Sequence, residues 1–159
     1  VGVIPLVRAE VKNILIHGVG AASDASIGGF VPVDPEHFGA TAQVFIGPVG
    51  SGGGGDSFAV VVCTPSWVAS TLVQDWEQWD SGLTAMPDSV HTGSSYWFMR
   101  RWDQADFERA VASVCEAASP GPDWGTVASR IGRLIPWEFD YKYDAHVDRA
   151  YGEPFPPAP

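Results

Sequence analysis

Between Ala42 and Trp79 the chain reads as strand, glycine-rich turn, strand and helix without a break, and whatever else it forms has to pack on that unit. Gln43-Val44-Phe45-Ile46 is a β-branched and aromatic run closed by Gly47-Pro48, a pair that ends a strand and opens a turn. Ser57 to Cys63 is almost wholly apolar and of strand length, the pattern of a central strand covered on both faces. A hairpin across the glycine-rich loop joins the two. Thr64-Pro65 then offers an N-cap and a proline at the first helical position, where the missing N–H costs nothing. In the helix that follows, Trp67, Val68, Thr71, Leu72, Trp76 and Trp79 recur on one face, so the helix is expected to lie on the sheet.

Gly50, Gly52 and Gly55 spell Gly-x-Gly-x-x-Gly. A phosphate cradle needs such glycines to lead into a helix N-terminus, where backbone N–H groups point at the anion. Here they lead into a strand, no Lys-Ser/Thr follows, and Asp56 would repel phosphate. The stretch reads as a hairpin loop.

Val7 to His17 forms the first strand, and Pro32 and Pro35 around Asp34 keep the next segment extended or turning. Pro35 to Phe38 fits one helical turn that delivers Phe38 to the core. Asp80 to Ser95, rich in Gly, Ser, Asp and Pro, reads as a surface connection, and Ser95 to Arg100 as another strand. Asp103 and Asp123 each cap a helix; Phe107, Ala110, Val111, Val114 and Ala118 form the stripe of the first, and Trp124, Val127, Ala128, Ile131, Leu134 and Ile135 that of the second. Arg130 and Arg133 suit the second helix's C-terminal dipole. Trp137 to Asp144 alternates aromatic and charged residues, predicting a strand with Trp137, Phe139, Tyr141 and Tyr143 inward. The fold class is α+β, an antiparallel sheet with about three helices packed mainly on one face, in a single domain over 1–151 with a disordered Pro-rich tail over 152–159.

Charge is the informative part of the composition. Nineteen acidic against nine basic residues give a net charge of −10, and no Lys or Arg stands between Lys12 and Arg100. That span holds Asp24, Asp34, Glu36, Asp56, Asp75, Glu77, Asp80 and Asp88, so its surface repels nucleic acid and anionic membranes and speeds encounter with a basic partner. Val1 to Leu6 lacks a basic leading segment, no run is long enough to span a membrane, and a cytoplasmic protein is expected. Cys63 and Cys115 lie in apolar surroundings without Cys-x-x-Cys spacing and read as buried free thiols.

The four histidines share no metal-ligand spacing, so neither a metal nor a cofactor is expected. Glu138 and Asp140, at i and i+2 on one strand face, stand about 6.6 Å apart, a separation compatible with acid and base in hydrolysis. Simple alternation produces the same spacing, and no nucleophile or stabilising group accompanies them. Trp76 and Trp79, framed by Asp75, Glu77 and Asp80, suit either a core stripe or a hot spot for a basic partner.

Phe45-Ile46-Gly47-Pro48, the glycine-rich loop, Asp56-Ser57-Phe58, Thr64-Pro65-Ser66-Trp67 and Trp137-Glu138-Phe139-Asp140-Tyr141 together resemble the immunity protein 8 family of bacterial polymorphic toxin systems. The similarity runs from about Arg8 to Asp144, though the family has a longer acidic step where this chain has only Asp140. The resemblance implies a cytoplasmic, non-enzymatic protein that binds and neutralises one cognate toxin. Joined to the charge distribution, it makes Asp75, Trp76, Glu77, Trp79, Asp80, Glu138 and Asp140 the candidate contacts with a basic toxin domain. The alternative is a small-molecule-binding or hydrolytic α+β domain using Glu138 and Asp140; a structural subunit burying its tryptophans is a third reading.

Overall fold

In the computed structural model, residues 4–18, 25–75 and 96–139 are described. The strands are β1 (Ala9–Gly18), β2 (Ala25–Ser26), β3 (Gly39–Pro48), β4 (Asp56–Cys63) and β5 (Tyr96–Phe98). The helices are α1 (Pro65–Asp75), α2 (Gln104–Ala118) and α3 (Trp124–Gly132), and a short 3-10 turn spans Ile27–Gly29. This is the expected α+β architecture. The connection from Asp80 to Ser95 and the tail over 152–159 lie outside the described residues.

The sheet order is β2-β1-β3-β4-β5. The central hairpin is as read from sequence: β3 pairs antiparallel with β4 from Gly39↔Cys63 to Ile46↔Asp56. β1 and β2 are antiparallel as well. β5 departs from the antiparallel expectation, pairing parallel to β4 through Val61↔Tyr96, Val62↔Trp97 and Cys63↔Phe98. The cause is the connection between them, which contains α1. A chain that leaves one end of β4 and travels that far returns to start the next strand in the same direction.

Strand alternation sends Ile14 and Ile16, Ala40, Ala42, Val44 and Ile46, and Phe58, Val60 and Val62 to one face of the sheet, all buried. α2 and α3 cover that face with Phe107, Val111, Cys115 and Ala118 and with Val127, Ala128 and Ile131. Both helices start as their sequences predict: Asp106 N–H donates to Asp103 Oδ1 at 2.9 Å, and Thr126 N–H to Asp123 Oδ1 at 2.7 Å. The bonds from Thr126 also hold the Asp123 carboxyl below its usual pKa. Leu134, assigned to the α3 stripe, falls past the helix end and is exposed. Burial pushes both thiols, Cys63 and Cys115, up to about 11.

Two polar residues act differently from their sequence expectation. Thr64 does not use its hydroxyl as a local cap; it accepts from the Phe38 N–H at 3.2 Å and ties the start of α1 to the chain entering β3. Arg130 donates to the carbonyls of Ala118 at 3.0 Å and Pro120 at 2.9 Å, at the C-terminal end of α2 and not of its own helix. The Ala118 carbonyl ends α2 without a helical partner, and a cation there also suits the α2 dipole. Arg130→Ala is expected to destabilise the fold by about 1–2 kcal/mol, with Arg130→Lys recovering part of it, as read by urea denaturation.

Candidate functional site

The last motif of the chain meets the start of β4. Trp137 makes an isolated antiparallel bridge with Phe58, and their rings stack at 6.2 Å between centroids with 13° between planes. Glu138 N–H donates to the Ser57 carbonyl at 3.0 Å, while Glu138 Oε1 accepts from Ser57 N–H at 2.6 Å. Asp56 Oδ2 accepts from the indole N–H groups of Trp124 at 2.7 Å and Trp137 at 3.1 Å. A single carboxylate thus joins β4, α3 and the segment after α3. The strand expected over Trp137 to Asp144 is, in its described part, this bridge followed by a turn at Glu138 and Phe139. Its inward and outward pattern holds there, with Trp137 and Phe139 half-buried and Glu138 exposed.

Of the candidate contacts, Glu138 has its carboxylate engaged with the Ser57 amide. That use closes the fold. Asp75 is the last residue of α1, and Trp76, Glu77, Trp79, Asp80 and Asp140 lie outside the described residues. Among the described residues no group of three or more His, Cys, Asp and Glu side chains could hold a metal ion. The described tryptophans other than Trp67 serve packing: Trp97 donates to the Leu134 carbonyl at 2.9 Å, and Trp102 meets Phe30 edge-on at 5.0 Å.

A second feature escaped the sequence reading. A cleft of about 690 Å³ opens between the end of β1, the segment from Gly29 to Gly39, and Trp67. On its rim the chain Val31-Pro32-Val33-Asp34-Pro35-Glu36 projects outward, with Val31 82% and Val33 106% exposed. The segment is held from below. Phe30, Phe38 and Trp102 form an aromatic cluster, and Trp102 N–H donates to the Pro35 carbonyl at 2.7 Å. Asp34 Oδ1 accepts from Glu36 N–H at 2.9 Å, and Ser66 Oγ donates to the Glu36 carbonyl at 3.2 Å while contacting His37 Nδ1 at 3.1 Å. The available signal was two valines in a stretch whose prolines bar both helix and central strand, leaving them no core to enter. Glu138 does not line this cleft.

A family model described as Immunity protein 8 matches residues 15–141, a span that includes the β3–β4 hairpin, α1 and the Trp137–Phe139 closure. No curated protein and no solved structure matches the chain.

Proposed function

Because the chain belongs to the immunity protein 8 family, we propose that it binds one cognate toxin domain and neutralises it by occlusion, protecting the cell that makes it. It acts as a stoichiometric ligand without catalysis, in the cytoplasm. No helix among the described residues is long and apolar enough to cross a membrane, which leaves that location open to it. The observation that carries the reading is the family match over 15–141, supported by the one-sided charge.

The net charge of −10, with no Lys or Arg between Lys12 and Arg100 in the sequence, favours encounter with a basic toxin domain. Asp75, Trp76, Glu77, Trp79, Asp80 and Asp140 are the proposed contacts on the acidic side, and Glu138 is assigned to the closure of the fold. If the toxin is a nuclease, its phosphate-binding groove supplies the basic surface, and these carboxylates stand in for phosphates.

The test is co-expression with the toxin domain encoded by the adjacent upstream gene. The wild-type protein is expected to restore growth, and Asp75→Lys with Glu77→Lys to slow association and flatten its salt dependence. Unchanged association kinetics would remove the steering role from these residues, and unrelieved toxicity would remove the immunity reading itself.

A further inference from the structure

The Val31–Glu36 loop and the cleft behind it have the properties of a binding surface. Val31 and Val33 are the two most exposed large apolar side chains among the described residues, and they stand one residue apart on one projecting loop. Single exposed apolar residues are ordinary, but two presented together at the rim of a cleft offer a partner an apolar patch to cover. The loop is also pre-shaped. Pro32 and Pro35 restrict its backbone, Asp34 and Glu36 bond within it, and Trp102 fastens Pro35 to the rest of the fold. A partner therefore meets a surface that loses little conformational entropy on binding.

The chemistry of the cleft specifies the occupant. Phe30 and Trp67 line the cleft together with His17, His37 and Asp34, and among the described residues no Lys or Arg lines it. A cleft that combines aromatic side chains with a carboxylate fits the aliphatic stem and cationic head of a lysine or arginine. The loop lies wholly inside the span without cations, so no positive residue of its own competes for Asp34 from the neighbouring sequence.

We propose that this loop and cleft form a further part of the docking surface for the toxin domain, in addition to the acidic contacts proposed above, with Val31 and Val33 seated in an apolar hollow of the toxin and a toxin lysine or arginine entering the cleft toward Asp34. This rests on the immunity reading and deepens it by naming the face used. Glu36 adds a second negative charge on the same loop. Occlusion then follows from steric coverage of the toxin around the inserted loop.

The experiment measures association and dissociation between the full chain and the purified toxin domain of the adjacent upstream gene. Val31→Ser with Val33→Ser is expected to raise the dissociation rate at least tenfold, since desolvated apolar anchors act mainly on residence time. Asp34→Asn, which keeps an oxygen to accept the Glu36 amide, is expected to weaken binding several-fold and to reduce its salt dependence. Thermal midpoints should stay at the wild-type value in both variants, because the altered atoms face solvent. Wild-type binding with both variants within about twofold of it would overturn this surface while leaving the immunity reading standing. Absence of any wild-type complex would overturn both. A homodimer that dissociates in Val31→Ser with Val33→Ser, with toxin binding unaffected, would reassign the face to self-association and overturn the proposal.

Discussion

Trp137→Ala is expected to lower the stability of the domain by about 3 kcal/mol, a fall of roughly 6–12 °C in Tm for a chain of this size. The side chain stacks on Phe58, a fully buried residue of β4, and its indole N–H reaches the Asp56 carboxylate. Alanine removes the ring contact and leaves the Phe58 side open to water, and it takes one of two donors from Asp56. Trp137→Phe separates the two contributions: it keeps an aromatic ring over Phe58 and loses the hydrogen bond to Asp56, so its cost should be near 1 kcal/mol. Asp56→Ala strands two indole N–H groups at once and should exceed Trp137→Phe. In a cycle of Trp137→Phe with Asp56→Ala the effects should fall short of additive by the energy of the shared bond. If Trp137→Ala leaves Tm unchanged, the Trp-Glu-Phe segment is not the closure described above.

The second large effect separates two glycines of one loop. A Cβ built on Gly55 would stand 2.4–2.6 Å from the backbone of Ile46 in the neighbouring strand. Backbone cannot step aside as a flexible side chain can, so Gly55→Ala must spread β3 from β4 at the end of their hairpin. The expected loss is about 3 kcal/mol, at the upper end for overpacking. Gly53→Ala, two residues away, meets nothing within 4 Å and should change stability by less than about 0.5 kcal/mol. Equal losses in the two variants, measured by chemical denaturation, would contradict the close approach of Gly55 to β3.

That contrast shows what the sequence could and could not say. Four consecutive glycines read as one loop, because composition cannot distinguish a glycine that fills space from one that lets two backbones meet. Gly50 is constrained for a different reason: its φ of +78° is a conformation that residues with a side chain rarely adopt. The hairpin and the helix starts at Asp103 and Asp123 were legible, since each rests on local chemistry. The direction of β5 was harder. Its run of aromatics has no polarity, although the helix lodged between β4 and β5 carried the hint of a parallel return.

Side chains that act across the fold were also hidden. Arg130 suits the end of its own helix by sequence yet serves α2, and Thr64 stands where a cap belongs yet binds Phe38. Asp56 was read as a negative charge and as part of a motif block, not as a partner of tryptophans. Its two indole partners are Trp124 and Trp137, far along the chain, and nothing local announces them. The resemblance-bearing blocks Asp56-Ser57-Phe58 and Trp137-Glu138-Phe139 turn out to touch each other, which gives their joint occurrence a structural cause. The exposed valines at 31 and 33 were visible as residues but not as a surface, because exposure is a property of the folded loop.

The most direct measurement is a calorimetric titration of the full chain into the toxin domain of the adjacent upstream gene, followed by assay of that domain's activity at each ratio. The account predicts a saturable heat with one protein bound per toxin and loss of activity complete at equimolar addition. Residual full activity at a large excess of this protein, or no heat at all with a toxin that is folded and active, would contradict it.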